Sequence, residues 1–254
     1  MKTIPPFTVV YDDEHMIAVN KSSGVSVGGD RWDESRDRLD RLLAMQAAEK
    51  TSFRIFTVHR IDRETSGLVV FAKNEETHHR LSAAFEERDV TKRYIAVVNG
   101  RPPWKETSCD LPLVPNGNKQ HQTIIDRFRG KKSLTRFSVL GSAGNFSVLE
   151  ALPETGRTHQ IRVHAAALGF PVVCDSLYGN IADKPVLLSA FKKNWRGDPL
   201  DEKPLLARLG LHALELSLPA QSMTLRAPLP RDMAALIRQM EKSVNYVILI
   251  GNRG

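Results

Sequence analysis

The sequence predicts an α+β fold with a largely antiparallel sheet, and three observations carry that prediction. Strand-like and helix-like segments are mixed along the 254 residues without a regular βαβ alternation. No internal repeat, low-complexity tract or Ser/Gly-rich linker divides the chain, so residues 1–254 are expected to form a single domain. Hydrophobic residues make up 41% and charged residues 26%, the balance of a globular protein long enough to bury a substantial core.

The elements follow in order. A hairpin is expected from Phe7 to Val27, then a helix near Ser35 to Glu49. Ser35 would cap that helix, and Leu39, Leu42, Leu43 and Met45 supply its buried stripe. Two apolar runs rich in β-branched and aromatic residues, Ile55 to Val58 and Leu68 to Ala72, predict buried strands. Asn74 caps a helix expected from Glu75 to Glu87. Strands are expected at Tyr94 to Val98, Ser133 to Leu140 and Phe146 to Leu152. Thr158 to Leu168 is read as a helix ended by Gly169. Strands at Gly210 to Leu218 and Met223 to Ala227 precede a last helix from Pro230 to Lys242. Residues 243–254 form a C-terminal extension able to add an edge strand, with no function assigned.

The segment between the two apolar runs, HRIDRETSG (His59 to Gly67), is the most informative in the chain. It sets Asp62 between Arg60 and Arg63 in a loop at the end of a core strand, a good place to hold a reacting carboxylate. Thr65 and Ser66 are expected to fix the loop by hydroxyl-to-backbone bonds, and Gly67 by a permissive backbone. An isolated aspartate in such a loop is more often a turn cap, but this one belongs to an ordered series of motifs.

HRIDRETSG resembles the HRLDxxTSG signature of the RluA-type pseudouridine synthases, which isomerise uridine within RNA. DDEHMIAVNKSSG (Asp12 to Gly24) is similar to the family's opening strand and Lys-Pro-x-Gly turn, with Ser22 in place of proline. KRYIAVVNG (Lys92 to Gly100) resembles its Lys-x-Tyr strand, and GKKSLTRFSVL (Gly130 to Leu140) its Gly-Lys-x-x-x-Thr strand. TGRTHQIRVHAAALGFPVVCDSLYG (Thr155 to Gly179) and LGLHALELSL (Leu209 to Leu218) resemble the Arg-x-His-Gln block and the Leu-His-Ala strand. The likeness covers nearly the whole chain apart from the last dozen residues. Cys174 stands where the family has glycine, so a shift of the backbone is expected there. The resemblance implies a pseudouridine synthase fold, a mixed, mostly antiparallel central sheet flanked by helices. Members often carry an N-terminal S4 domain, and none is expected here because the signature begins almost at once.

The same resemblance implies a chemistry. Making pseudouridine breaks the N1–C1′ bond, turns the held uracil and joins C5 to C1′, with no redox change, so no cofactor is expected. Asp62 matches the family's carboxylate, which attacks C1′ or removes the 2′ proton, and both routes need the anion. Arg162 matches the arginine that offsets this charge in a dry pocket. On one helix Arg157 and Arg162 would point ~140° apart, so Arg162 is assigned to Asp62 and Arg157 to phosphate or loop contact. Tyr94 matches the tyrosine that lies against the target base. Without the resemblance it would be read as a core strand residue. Arg60, Arg63, Lys92, Arg157, His159, Lys131 and Lys132 complete the expected substrate-binding set.

Composition agrees with an RNA partner. The net charge is +7, and Arg127, Arg129, Lys131, Lys132 and Arg136 cluster, as do Lys192, Lys193 and Arg196 with Phe191 and Trp195 interleaved. Each cluster could equally be a solvated face, and Phe191 and Trp195 also suit one helix face on the core. No apolar stretch approaches the ~20 residues that span a bilayer, and the start is no secretory signal. Two distant cysteines outside any CxxC, and histidines at non-ligating spacings, point to no disulfide and no metal. A monomeric cytoplasmic enzyme on tRNA or rRNA is expected. The alternatives are an RNA-binding or RNA-folding protein that keeps the fold without turnover and, more weakly, a glycoside hydrolase, which would usually need two opposed carboxylates.

Overall fold

The computed structural model describes residues 5–29, 38–50, 54–120, 122–179, 184–192, 195–198, 200–244 and 246–250. The chain divides into two compact units, Met1–Lys92 with His212–Pro228, and Arg93–Leu211 with Leu229–Gly254. Each has strands flanked by helices, so the α+β class holds. Among the described residues no helix is long and apolar enough to cross a membrane.

In the first unit, β1 (Phe7–Asp12) and β2 (Met16–Lys21) form an antiparallel hairpin. Its turn is closed by Asp13, whose Oδ1 accepts the N–H groups of His15 and Met16. Helix α1 (Leu39–Lys50) buries Leu39 and Leu43 but leaves Met45 63% exposed, so its buried stripe is narrower than predicted. The expected cap, Ser35, lies outside the described residues. Of the first apolar run only β3 (Phe56–Thr57) is strand. The second run is β4 (Ser66–Ala72), paired antiparallel with β2 and β3 and parallel with β11 (Leu211–Leu218). All seven β4 residues are buried, which explains why the run is continuously apolar rather than alternating. Helix α2 (Glu75–Glu86) starts as predicted, with the Asn74 side chain accepting the Thr77 N–H at 2.8 Å. Strand β12 (Met223–Arg226) pairs antiparallel with β11, and Leu68, Val70, Leu81, Leu216 and Leu225 meet in one core.

The second unit holds four antiparallel strands in the order β5 (Thr91–Asn99), β10 (Phe146–Pro153), β9 (Thr135–Ala143) and β6 (Glu106–Cys109), β5 starting just before the unit boundary. A small ribbon pairs β7 (Leu113–Val114) with β8 (Ile124–Ile125). The short β6, β7 and β8 were not predicted, because two to four residues are too few to show alternation. Helix α3 (Gln160–Ala167) packs on β9 and β10. Helix α4 (Arg231–Val244) buries Met233, Leu236, Ile237 and Met240, a regular i, i+3, i+4, i+7 stripe. The end of the chain alternates: Ile248 and Ile250 are buried, Val247 and Leu249 exposed. The described residues there join no ladder.

Candidate active site

The HRIDRETSG loop is fastened from both ends. At its start, His59 Nε2 accepts the Val70 N–H at 3.0 Å while the ring stacks on Phe85, centroids 4.5 Å apart. Burial, with the nearby charge of Lys92, pushes this imidazole down to about 3, so it is neutral and available as an acceptor. At its end, Ser66 and Gly67 belong to β4 rather than to the loop. Gly67 has φ 120°, and a Cβ there would lie 2.2 Å from the Ala213 carbonyl oxygen, so β4 and β11 can approach only at glycine. The two hydroxyls depart from expectation. Ser66 donates to a side chain, His212 Nδ1 (3.0 Å), whose Nε2 donates to the Ala227 carbonyl (3.2 Å). Thr65 Oγ1 is buried without a hydrogen bond among the described residues, and it is the Thr65 N–H that closes the turn onto the Asp62 carbonyl.

The middle of the loop is latched by residues whose role the sequence reading did not assign. Lys21 is completely buried and its ammonium donates to the carbonyls of Ser22, Val25 and Arg63 at 3.0, 2.7 and 2.9 Å. The Arg63 carbonyl also accepts the Gly24 N–H, Arg63 Nε donates to the Gly24 carbonyl, and Ser23 Oγ donates to the Glu64 carbonyl at 2.6 Å. The KSSG turn and the loop are thus one hydrogen-bonded body, in which Asp62 is half-buried and Arg60 and Arg63 are exposed. A lysine in the opening turn motif was the available signal. Its burial was not visible in sequence because lysine is ordinarily a surface residue.

The GRTHQIRVH block is built around a break in the expected helix. His159 has φ 54°, a left-handed conformation that stops helical geometry, so α3 starts at Gln160 and not at Thr158. Arg157 therefore lies before the helix, and the angular argument separating it from Arg162 does not apply. From Gln160, side chains four apart face β9. Gln160 Nε2 donates to the Leu134 carbonyl and Thr135 Oγ1, and its Oε1 accepts from Thr155 Oγ1 and the Arg157 N–H. His164, completely buried and lowered in pKa by burial, bonds Thr135 Oγ1 through Nδ1 and the Leu111 carbonyl through Nε2. Arg162, two residues from each, points the opposite way.

Arg162 is 3% exposed and carries an ion pair that the sequence reading did not name. Its Nε and Nη2 donate to Asp175 Oδ2 and Oδ1 at 2.8 and 2.7 Å, a fork-to-fork contact. Asp175 Oδ1 also accepts the N–H groups of Leu177 and Tyr178, which folds the DSLYG turn around it. The Arg162 guanidinium lies 5.1 Å from the Tyr178 ring centre. The Tyr178 hydroxyl accepts the Thr123 N–H and sits 2.9 Å from His159 Nδ1. The structure thus gathers Arg162, Asp175, Tyr178 and His159. Before the turn, Cys174 has φ 56°. This is a left-handed conformation that glycine adopts more readily than cysteine.

Tyr94 is half-buried on β5 opposite Ala151 of β10. Lys92, two residues earlier, is pushed down to about 8 by burial and by the like charge of Arg88. Arg93 between them ion-pairs with Glu150. Lys131 and Lys132 are exposed, and the Lys132 carbonyl accepts Arg157 Nε at 3.2 Å. In the second basic cluster Phe191 is not offered to a base: it packs on Phe146 from a short 3-10 turn, Leu188–Phe191. Lys193 lies outside the described residues.

A family model described as RNA pseudouridylate synthase matches residues 15–167. Ribosomal large subunit pseudouridine synthase D of Zymomonas mobilis is 30% identical over 244 residues, covering 92% of this chain and 73% of that protein. Ribosomal large subunit pseudouridine synthase C of Vibrio vulnificus is 32% identical over 240 residues, covering 92% and 70%. Human RNA pseudouridylate synthase domain containing 1 superposes with a TM-score of 0.69 at 26% identity, covering 91% of this chain and 86% of that one. The fold is also that of human RNA pseudouridylate synthase domain containing 4, with a TM-score of 0.72 over 92% of each chain. The motifs, the fold and these likenesses agree: the chain belongs to the RNA pseudouridylate synthase family and is an enzyme that isomerises uridine in RNA.

Proposed function

We propose that the enzyme converts one or more uridines of large-subunit ribosomal RNA to pseudouridine, with Asp62 as the reacting carboxylate. The observation that carries this reading is the construction of the Asp62 loop. His59, Lys21 and the KSSG turn fix its backbone on both sides, so the carboxylate is presented with little conformational freedom. Asp62 either attacks C1′ or removes the 2′ proton. The N1–C1′ bond breaks, C5 joins C1′, and the C5 proton leaves as N1 gains one. Tyr94 lies against the base and Arg162 is the cation of the set. Arg60, Arg63, Lys92, Arg157, His159, Lys131 and Lys132 hold the RNA. The enzyme acts as a monomer in the cytoplasm. The ribosomal target is supported by what the relatives are named for, and a reducing compartment by the two free cysteines, Cys109 and Cys174.

Pseudouridine mapping of ribosomal RNA from cells with and without the gene tests the target, which is expected to lose at least one modified position. An unchanged large-subunit map overturns it. Asp62→Asn is expected to abolish tritium release from RNA labelled at uracil C5 while leaving RNA binding intact. Turnover by that variant sinks the assignment of the carboxylate.

A further inference from the structure

The turn after β8, DRFRG (Asp126 to Gly130), holds a phenylalanine out in solvent. Phe128 is 98% exposed. A single exposed apolar residue is ordinary on a protein surface, so the argument rests on how this one is held and on what surrounds it.

The turn is locked. Asp126 Oδ1 accepts the N–H groups of Phe128 and Arg129, each at 2.9 Å, and Oδ2 accepts Arg129 Nε at 2.7 Å. These donors hold the Asp126 carboxyl below its usual range, so it stays ionised as their acceptor. The Gly130 N–H returns to the Asp126 carbonyl (2.8 Å) and the Asp126 N–H reaches Pro112 (3.1 Å). A Cβ on Gly130 would lie 2.3 Å from the Asp126 carbonyl oxygen, so only glycine lets the chain close this tightly. Lys131 and Leu113 then exchange both backbone bonds, joining the turn to the β7 strand. These bonds fix the backbone from which the ring projects.

The surroundings are cationic. Arg127 and Arg129 flank the ring, and Lys131 and Lys132 follow, all exposed. Among the described residues Arg127, Lys131 and Lys132 have no carboxylate partner, and Arg157 is bonded to the Lys132 carbonyl beside them. An exposed aromatic ring on a locked turn, beside Arg127, Lys131 and Lys132, has the chemistry of a single-stranded nucleic acid platform, where cations take phosphates and the ring takes a base face.

We propose that this turn is a stacking contact for RNA, with Phe128 against an unpaired base and Arg127, Lys131 and Lys132 on the adjoining phosphates. It rests on the RNA reading above and adds to it a base contact outside the assigned catalytic residues. The partner is a single strand or loop, because the bases of an intact helix hide their faces from a side chain.

The test uses the full chain and a fluorescein-labelled oligouridylate of about 12 nucleotides, beside a duplex of similar length. Phe128→Ala is expected to bind the single strand roughly 5- to 150-fold more weakly, equivalent to ~1–3 kcal/mol at ~1.4 kcal/mol per tenfold. The slope of log affinity against log salt should not change, since every cation on a phosphate remains. Lys131→Ala with Lys132→Ala is expected to flatten that slope by ~0.7 for each phosphate left without its lysine. Phe128→Trp should bind within about twofold of the parent and show indole emission quenched by the oligonucleotide. Phe128→Ala binding as the parent does, or a Phe128→Trp emission indifferent to RNA, overturns the proposal. Tritium release by the parent enzyme is measured separately. Phe128-dependent binding without ribosomal modification refutes the target reading and leaves this one standing, and the reverse pattern refutes this one alone.

Discussion

Replacing Asp175 by alanine is expected to be among the most damaging single changes in the second unit. The carboxylate is fully buried and accepts four hydrogen bonds, two from Arg162 and one each from the N–H groups of Leu177 and Tyr178. At the observed separation two unit charges attract by ~4 kcal/mol or more at an effective dielectric near 20, against a desolvation cost of similar size. The net worth of the pair is therefore modest. Removing one member alone is costly, because a 4% exposed guanidinium side chain loses a fully buried carboxylate and two acceptors, and the N–H groups of Leu177 and Tyr178 lose theirs. That change typically destabilises by ~3–5 kcal/mol. Asp175→Asn keeps the volume and one accepting oxygen but turns an amide N–H toward Arg162, and about half that loss is expected. The assay is urea unfolding. With a slope of ~2–3 kcal/mol per molar, the alanine variant should shift the midpoint by on the order of 1–2 M. Combined with Arg162→Met in a double-mutant cycle, Asp175→Asn should show a coupling of ~1–3 kcal/mol, while every variant carrying Arg162→Met should be inactive. A loss below ~1 kcal/mol for Asp175→Ala, or additivity within ~0.5 kcal/mol in the cycle, would refute this account of the pair.

Three further outcomes are expected. Folding lowers the His59 imidazole from ~6.5 to about 3, so below the unfolded value the unfolded chain takes up a proton that the folded chain refuses. Stability should therefore fall as pH drops through that window, by up to ~1.4 kcal/mol per unit, and urea midpoints should show His59→Gln flattening the slope. Gly67→Ala forces a Cβ to within 2.2 Å of the Ala213 carbonyl oxygen at φ 120°. It should cost at least ~3 kcal/mol in thermal or urea unfolding and abolish turnover, and a variant with normal activity would contradict the close approach. Cys174→Gly relieves a left-handed cysteine, φ 56°, worth ~1–2 kcal/mol, against ~0.5–1 kcal/mol of added chain entropy. It should stabilise slightly, and a drop in the unfolding midpoint would show that the Sγ contacts with the Lys184 and Leu206 carbonyls matter more.

Much of the fold was legible because its strongest signals are local. The Asn74 cap, the last helix and the apolar β4 run each depend on residues within one element, and each stands close to where it was read. The stretches that escaped are those whose structure is imposed from elsewhere in the chain. Strands β6, β7 and β8 are strands only because a partner pairs with them, and His159 turns left-handed where the periodic pattern ran on to Thr158.

The candidate site divides in the same way, and the division explains why motif and mechanism are hard to separate by sequence. HRIDRETSG names Asp62, but what holds Asp62 still is Lys21, a residue about forty positions earlier that spends its charge on three backbone carbonyls. Likewise the Arg-x-His-Gln block names Arg162, while Gln160 and His164 fasten the helix to β9 and Asp175 fixes the guanidinium. Such partners are buried polar groups, which are costly in a fold unless their donors and acceptors are met. They must therefore be as specific in identity as a group that touches substrate. A pattern of fixed residues consequently mixes reacting groups with the groups that hold them. Lys21, Gln160, His164 and Asp175 each spend bonds on the protein itself. The residues that orient the site are thus as tightly determined as those assigned to the chemistry, and a substitution in either group should be read first in stability and only then in rate.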